Sequence, residues 1–194
     1  MKTRQKSVGL FGGSFNPAHG GHLHVARAGL RQLQLDEIWW LVSPQNPLKP
    51  KQPSWESRAE TVRNLPLPPN MRVSDVELKY RTQYTVDLLN TLQARQRDIN
   101  FVFMMGADNL LQLPKWLEWQ SIVQSIPIAV IARPGSSIRA RLGQAARQYA
   151  EARIPEDQAH TLKNQAAPAW TYLTLPLDKR SSSAIRASSK RPLN

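Results

Sequence analysis

The chain has 194 residues, of which 41% are hydrophobic, so it is long enough to bury one substantial core and a single domain is the default expectation. Its 26 lysines and arginines outnumber 14 aspartates and glutamates, and the resulting charge of +12 favours anionic partners such as phosphates, nucleotides or nucleic acid. The absence of cysteine excludes disulfides and thiolate metal sites, and it fits a reducing compartment.

The sequence contains no recognisable targeting or membrane segment. The basic residues 1–7 are followed by an apolar run that Gly9, Gly12 and Gly13 interrupt, so this start lacks the long apolar region of a signal peptide. No stretch approaches the length that a bilayer span needs. We therefore expect a soluble, cytoplasmic protein with no membrane partner.

Short apolar runs alternate with longer amphipathic stretches, which is typical of strands that feed crossover helices in a parallel sheet. In chain order, strands are predicted at residues 7–11, 37–43, 71–75, 99–106, 126–134 and 170–175. Helices are predicted at residues 21–35, from near Trp55, at 84–96, around 137–153 and in a short C-terminal helix or tail, 180–194. The pattern predicts one domain, residues 1–194, built on a Rossmann-like, doubly wound α/β sheet that is mostly parallel and has helices on both faces.

A glycine- and histidine-rich segment, FGGSFNPAHGGHLHVA (11–26), follows the first strand. Gly12 and Gly13 end that strand and allow a ligand to approach the backbone closely. The helix that begins near residues 19–21 presents unpaired amides and the positive end of its dipole. His19 and His22 lie three residues apart on its first turn, and both can donate to phosphoryl oxygens. These features predict an anion clamp at the carboxyl end of the first strand.

Other interpretations of this segment are weaker but remain open at this point. A glycine-rich connection can serve only as a turn. A metal site would use His19, His22 and His24, but the last two point to different sides of a helix and no nearby carboxylate completes a shell. The spacings of a P-loop and of a dinucleotide fingerprint are both absent.

Two motifs far apart in the sequence carry a resemblance to a known superfamily. GGSFNPAHGGH (12–22) is similar to the G-x-F-x-P-x-H-x-G-H signature of the nucleotidyltransferases, and SSSAIR (181–186) resembles their second signature, I-S-S-T-x-[IVL]-R. Alone, the second motif would be an ordinary N-cap on a surface helix, but the pair is far more specific. One departure is Ala184, which stands where the superfamily usually has threonine. In the superfamily both motifs surround the phosphates of a nucleoside triphosphate.

Within that superfamily, the sequence resembles the bacterial nicotinate-nucleotide adenylyltransferases over nearly its full length. The matching elements are SPQNPLKP (43–50), QYTVDLL (83–89), MGADNLLQLPKWLEW (105–119) and IARPG (131–135). The resemblance implies that ATP and nicotinate mononucleotide give nicotinate adenine dinucleotide and pyrophosphate. The acceptor phosphate is already ionised, so it can attack the α-phosphorus directly without a general base. Catalysis would then consist of positioning and stabilisation of negative charge.

The resemblance also implies roles for individual residues. Catalysis is assigned to His19, His22 and Arg186. ATP binding is assigned to Gly12, Gly13, Ser14, Phe15, His19, His22, Gly106, Asp108, Ser182, Ser183 and Arg186. Nicotinate mononucleotide binding is assigned to Ser14, Asn46, Lys49, Thr85, Trp116 and Arg133. No protein side chain is expected to ligate a metal, and Mg²⁺ would arrive with ATP, bound largely through phosphate oxygens and water.

Several of these residues have an alternative, purely structural interpretation. Trp116 could stack on the pyridine ring of the acceptor or anchor a helix in the core. Asp108 could contact the adenosine part of ATP or simply cap a helix. Amides near Thr85 could accept the nicotinate carboxylate because they lie at the start of a predicted helix.

Two other functions compete with this one. The nearest is another adenylyl- or cytidylyltransferase of the same superfamily, with phosphopantetheine or glycerol phosphate as acceptor. A nucleic-acid-binding protein would suit the charge of +12 and the six tryptophans. However, the basic residues are scattered and the aromatic residues form no ribonucleoprotein-type motif, so we expect no nucleic-acid partner.

Overall fold

The computed structural model describes residues 4–44, 51–132, 137–174 and 182–188. Within these ranges, one sheet contains the strands β1 (Lys6–Gly13), β2 (Glu37–Val42), β3 (Met71–Ser74), β4 (Ile99–Gly106), β5 (Ile128–Ile131), β6 (Arg153–Ile154) and β7 (Trp170–Leu173). Their order across the sheet is β3-β2-β1-β4-β5-β7-β6, and each neighbouring pair is parallel. The Rossmann-like α/β fold predicted from the sequence is confirmed.

Helices connect successive strands and cover both faces of the sheet. The described α-helices are α1 (Gly20–Gln32), α2 (Trp55–Arg63), α3 (Val76–Lys79), α4 (Thr85–Arg95), α5 (Ala107–Gln112), α6 (Trp119–Ser125), α7 (Ser137–Arg141), α8 (Gln144–Gln148) and α9 (Ser182–Ser188). Three-ten helices are formed by Leu113–Lys115, Ala150–Ala152 and Glu156–Asn164. None of the helices in the described ranges is long and apolar enough to span a membrane.

The switch point of the sheet lies between β1 and β4. The chain first builds β2 and β3 on one side of β1, and then crosses back to build β4 and β5 on the other side. The connections from β1 and β4 therefore leave in opposite directions and open a crevice at the carboxyl ends of these two strands. Ligands of doubly wound folds bind in such a crevice.

Side chains that alternate along the central strands form two core layers, one on each face of the sheet. On one face, Leu10 and Phe103 belong to the same cluster as Leu89 of α4. On the other face, Phe11 and Met104 lie in the cluster that contains α1. Because both faces are covered, β4 can be apolar at nearly every position, which explains why its continuous apolar run predicted a strand so well.

The prediction of one continuous helix around residues 137–153 is wrong. The structure divides this stretch into α7, α8 and a three-ten turn, and Gly143 caps the start of α8. The Gly143 amide donates to the Ala140 carbonyl, 3.2 Å away, and so ends the preceding turn. A Cβ atom at Gly143 would lie 3.2 Å from the Ala140 carbonyl oxygen, so a residue without a side chain suits this tight junction between the two helices. The short strand β6, which follows, was not predicted.

Gly9 in the centre of β1 has no space for a side chain. A Cβ atom built there would lie 2.6 Å from Met104 Sδ and 2.8 Å from Leu35 Cδ1, and both of these side chains are buried. We expect Gly9→Ala to lower the free energy of unfolding by about 2 kcal/mol, because a well-packed core must shift to admit the methyl group. Urea titration measures this change. An unchanged midpoint would show that Met104 and Leu35 can move aside at no cost.

Candidate active site

The crevice at the switch point is lined by glycines from both strands. The last register pair of β1 and β4 is Phe11 with Met104, and Gly13 and Gly106 each lie two residues further along. A Cβ atom at Gly12 would be 3.3 Å from the Phe103 ring, so that position is also tightly packed. A Cβ atom at Gly13 would lie 2.8 Å from the Phe15 ring, so that ring occupies the space beside Gly13. The close approach of a ligand to this backbone stays a prediction.

Phe15 folds the loop after β1 back onto the core. Its φ angle of 45° lies in the left-handed region, which non-glycine residues rarely adopt. The ring is buried, packs edge-on to Phe11, and approaches His22 with its centroid 5.2 Å away. The side chain therefore supports the loop and the neighbouring histidine, and any contact of Phe15 with ATP would use its backbone.

His19 and His22 orient each other at the start of α1. His19 is the N-cap residue, and its Nδ1 accepts a hydrogen bond from the Gly21 amide at 3.1 Å. His22 Nδ1 accepts from the His19 amide at 3.3 Å, and the two ring centroids lie 3.9 Å apart. A neutral imidazole whose Nδ1 is an acceptor carries its proton on Nε2. Each ring therefore carries an N–H donor at Nε2, and phosphate oxygens are hydrogen-bond acceptors.

This capping changes one expectation about the helix start. The Gly21 amide was predicted among the donors to a phosphate, but it donates to the His19 ring. The His22 amide donates to the His19 carbonyl at 2.9 Å. The first turn of α1 therefore presents the two imidazoles that it orients, and the dipole of this 13-residue helix places partial positive charge at the same end.

The C-terminal motif packs directly on the loop of the first motif. Ser182 Oγ, at the start of α9, donates to the Pro17 carbonyl at 2.9 Å. The Arg186 guanidinium donates to the Asn16 carbonyl and, at 3.1 Å, to Ser183 Oγ. Ser182 and Arg186 thus contact one short loop whose residues lie 165 and 170 positions earlier in the sequence. Ser183 and Arg186 are exposed, so their polar groups are accessible next to the loop that leads into His19.

Asp108 follows β4 on the other side of the crevice. The N-cap of α5 is Gly106, and no side chain caps this helix. The interpretation of Asp108 as a helix cap is therefore wrong, and its half-buried carboxylate lies in the first turn instead. Its assignment to the adenosine part of ATP stays a prediction.

Of the residues predicted to contact the acceptor, the structure describes Ser14, Thr85 and Trp116. Thr85 is the first residue of α4, as expected for a helix start whose amides could receive a carboxylate. Trp116 is half-buried and packs edge-on to Phe103, with the ring centroids 6.4 Å apart. It therefore anchors part of its ring in the core while part remains accessible. Asn46, Lys49 and Arg133, the other predicted contacts, lie outside the described residues.

Sequence analysis missed Arg58 of α2, which is only 1% exposed. Its Nη1 donates to the Ser14 carbonyl at 2.8 Å, its Nη2 to the Pro44 carbonyl at 2.7 Å and its Nε to the Pro53 carbonyl at 3.0 Å. Burial lowers the pKa of Arg58, and the nearby carboxylates of Glu77 and Glu56 oppose that shift. One sequence signal could have indicated its burial. Arg58 lies on the same helical face as the apolar residues Ala59 and Val62, and the structure buries all three.

Thr61, one turn further along α2, was also missed. Its Oγ1 accepts from the Ala18 amide at 2.9 Å and donates to the Arg58 carbonyl at 2.7 Å. It therefore holds the loop after β1 next to the N-cap residue His19. A lone threonine on a helix carries no sequence signal for such a contact.

The fold and the paired motifs define a nucleotidyltransferase, and the family described as cytidylyltransferase-like matches residues 10–188. A relative from Parvibaculum lavamentivorans is 48% identical over 188 residues, which cover 96% of this chain and 94% of that protein. One from Ruegeria sp. is 45% identical over 181 residues, or 93% of this chain and 96% of that protein. Both are named "Probable nicotinate-nucleotide adenylyltransferase". The chain belongs to the nicotinate-nucleotide adenylyltransferase family.

Solved structures share the fold. A Plasmodium falciparum nicotinic acid mononucleotide adenylyltransferase complexed with NaAD superimposes with a TM-score of 0.70 at 20% identity, covering 94% of this chain and 83% of that one. The same enzyme complexed with APC gives a TM-score of 0.68. At this identity the likeness concerns the architecture alone.

Proposed function

We propose that the protein transfers the adenylyl group of ATP to nicotinate mononucleotide, giving nicotinate adenine dinucleotide and pyrophosphate. The observation that carries this proposal is the meeting of the two motifs. Ser182 and Arg186 donate to carbonyls of the loop that leads into His19, so polar groups from both ends of the chain meet at this loop. Relatives at 45–48% identity over most of the chain bear the name of this activity.

The reaction needs positioned donors rather than a base. An oxygen of the acceptor phosphate attacks the α-phosphorus of ATP, a new P–O–P bond forms, and the bond to the β-phosphate breaks with its electron pair leaving on pyrophosphate. The acceptor phosphate is ionised at neutral pH, so no proton has to be removed. Catalysis then depends on in-line placement and on stabilising the spread negative charge.

Each clamp residue has a role in that reaction. The Nε2–H groups of His19 and His22 donate to the oxygens of the transferring phosphoryl group. Arg186, which is exposed and donates to the Asn16 carbonyl, holds the departing pyrophosphate together with Ser182 and Ser183. Gly12, Gly13, Ser14, Phe15 and Gly106 offer backbone to the triphosphate, and Asp108 contacts the adenosine.

We further propose that Mg²⁺ enters with ATP. The clamp offers imidazole and guanidinium groups, whereas Mg²⁺ prefers oxygen ligands in octahedral geometry. Phosphate oxygens and water are therefore the fitting donors, and the ion would neutralise charge on the triphosphate.

The acceptor is proposed to bind on the side of Thr85 and Trp116. The amides at the start of α4 suit the nicotinate carboxylate, and the accessible part of the Trp116 ring suits stacking on the pyridine. Ser14, Asn46, Lys49 and Arg133 complete the proposed set. We propose no nucleic-acid partner for the protein. Its cytoplasmic location stays a prediction.

The experiment that tests the function is a comparison of acceptors. The protein is given ATP and Mg²⁺ with nicotinate mononucleotide, nicotinamide mononucleotide, phosphopantetheine or glycerol phosphate, each alone, and pyrophosphate is measured. We expect the fastest release with nicotinate mononucleotide. Faster pyrophosphate release with phosphopantetheine or glycerol phosphate would assign the protein to another activity of the superfamily. If no acceptor gave pyrophosphate, the enzymatic proposal would be overturned. A salt-dependent shift of RNA or DNA without pyrophosphate release would favour nucleic-acid binding instead.

A further inference from the structure

We propose that Trp40 of β2 is a positioning residue for adenylyl transfer, which acts through the ring of Phe15 to hold the His22 imidazole in its donating orientation. The inference rests on the proposed function, because it concerns the donor that His22 offers to the transferring phosphoryl group. Trp40 lies outside both signature motifs and is fully buried, so it does not touch a substrate itself. Its effect on the reaction has to pass through Phe15.

Three positions on one face of the sheet, Phe11, Gly13 and Trp40, form a platform for the Phe15 ring. Phe11 and Trp40 are register partners on β1 and β2, and their ring centroids lie 5.0 Å apart. The Phe15 centroid is 5.4 Å from that of Phe11 and 5.1 Å from that of Trp40. Gly13, two residues beyond Phe11, leaves room for this ring, because a Cβ atom there would lie 2.8 Å from it.

The Phe15 ring carries this support to the histidine pair. Its centroid lies 5.2 Å from that of His22, and the two ring planes are 77° apart. His22 also packs on the His19 ring, 3.9 Å away, and its Nδ1 accepts from the His19 amide. The His22 imidazole therefore cannot turn without breaking one of these contacts. Turning it over would place a carbon at the His19 amide and redirect the Nε2–H group.

Phe15 depends on the platform because its backbone conformation is unfavourable. Its φ angle of 45° lies in the left-handed region, which costs free energy for a residue with a side chain. Burial of the ring against the platform offsets that cost. A smaller side chain at position 40 leaves space beside the Phe15 ring, so we expect the loop to relax and the ring to move away from His22.

Stability alone does not explain a tryptophan at position 40. Trp40 Nε1 is buried and has no hydrogen-bond partner among the described residues, whereas the N–H group of a buried indole usually has one. Trp39, the next residue of β2, donates from its Nε1 to Glu37 Oε2 at 3.0 Å. Because an unsatisfied donor in the core is destabilising, the property that matters at position 40 is the size of the ring beside Phe15.

The test compares Trp40→Phe with Trp39→Phe in the full-length protein. Both replacements remove the same atoms from buried positions of one strand, but Trp39 lies on the opposite face, against Phe101. The tautomer of His22 is measured by nitrogen NMR of histidine-labelled protein without substrate, at a pH where imidazoles are neutral. The chain has four histidines, so replacing each in turn assigns the signals. Pyrophosphate release gives kcat and KM.

In the wild type we expect His22 to hold its proton on Nε2. In Trp40→Phe we expect a mixture of the two neutral tautomers and a kcat about tenfold lower, because a small displacement of a catalytic group slows the reaction strongly. The KM for ATP should stay within about threefold, since the lost interaction belongs to the transition state. Trp39→Phe should lower the urea midpoint but keep the His22 spectrum, and its kcat should stay within about twofold of the wild type.

Phe15→Leu tests whether Trp40 acts through Phe15. This replacement removes the ring that contacts His22, so we expect it to lower kcat at least as much as Trp40→Phe does. Adding Trp40→Phe to Phe15→Leu should then lower kcat by less than about twofold further, because the shared contact is already lost. Additive losses would show that Trp40 acts by another route and would overturn the proposal.

The remaining outcomes are also decisive. If Trp40→Phe changes neither the His22 spectrum nor kcat, or only one of them, or if Trp39→Phe has the same effects, the proposal is overturned. If Trp40→Phe does not fold, Phe15→Leu and Gly13→Ala decide, and a wild-type His22 spectrum in both would refute it. If the wild type releases no pyrophosphate with any acceptor, the proposed function fails, whereas the His22 spectra still show whether Trp40 orients this ring.

Discussion

Replacing His22 by alanine is expected to lower kcat by about 10²-fold to 10³-fold, the usual effect of removing one donor that stabilises charge in the transition state. The cause is the loss of the Nε2–H group that His22 presents while its Nδ1 accepts from the His19 amide. That amide bond helps cap α1, so the free energy of unfolding should fall by only about 1 kcal/mol. Pyrophosphate release under saturating substrates and a urea titration measure the two quantities separately.

His24→Ala provides the matched control for this experiment. It removes the same side chain two residues further along α1, outside the proposed clamp. We expect kcat to stay within about twofold of the wild type, since positions two apart on a helix face different directions. Near wild-type turnover in His22→Ala would refute the clamp as described, and equal losses in both variants would show that a general effect on α1 is responsible.

The location of the site could be predicted from the sequence because it follows from strand order and from local spacing. The apolar run at residues 99–106 matches β4 fully, since a strand buried on both faces needs no alternation. Gly12 and Gly13, which end β1, mark the edge of the sheet where the candidate site lies. Helix ends were harder: Gly143 lies within an alanine- and arginine-rich stretch, and only the tertiary structure shows that it divides two helices.

Side-chain orientation could not be predicted in the same way. The three-residue spacing of His19 and His22 predicts neighbouring rings, but the choice of Nδ1 as acceptor depends on how each ring is rotated against the backbone. The contacts of Arg58 were even harder to predict. Its hydrogen-bond acceptors are carbonyls of Ser14, Pro44 and Pro53, and backbone groups in loops have no sequence signature. Contacts of this kind can be identified only once the fold is known.

Glu77 of α3 is expected to make the protein less stable as the pH rises through neutrality. Burial raises the pKa of this carboxyl from its usual 4.5 to about 7, although the positive charge of Arg58 acts in the opposite direction. The Oε2 atom is buried and has no hydrogen-bond partner among the described residues, which is consistent with that cost.

The sign follows from proton linkage. Between pH 4.5 and about 7 the folded state holds a proton on Glu77 that the unfolded state has released, so stability falls with increasing pH across this window. The stabilising contribution is complete below pH 4.5 and lost above about 7. The full difference corresponds to about 3 kcal/mol.

Glu77→Gln tests this prediction because it keeps the shape of the neutral carboxyl and cannot ionise. We expect the variant to match the wild type near pH 4.5 and to be more stable at pH 8 by up to about 3 kcal/mol, as measured by urea titration at a series of pH values. Glu56→Gln is the matched control: Glu56 also acts on Arg58, but its side chain is exposed, so its replacement should leave the pH dependence as in the wild type. Parallel stability curves for the wild type and Glu77→Gln would show that the Glu77 carboxyl titrates alike in both states. A Glu77→Gln variant that is less stable at every pH would instead indicate that the ionised form is the one the fold uses, paired with Arg58.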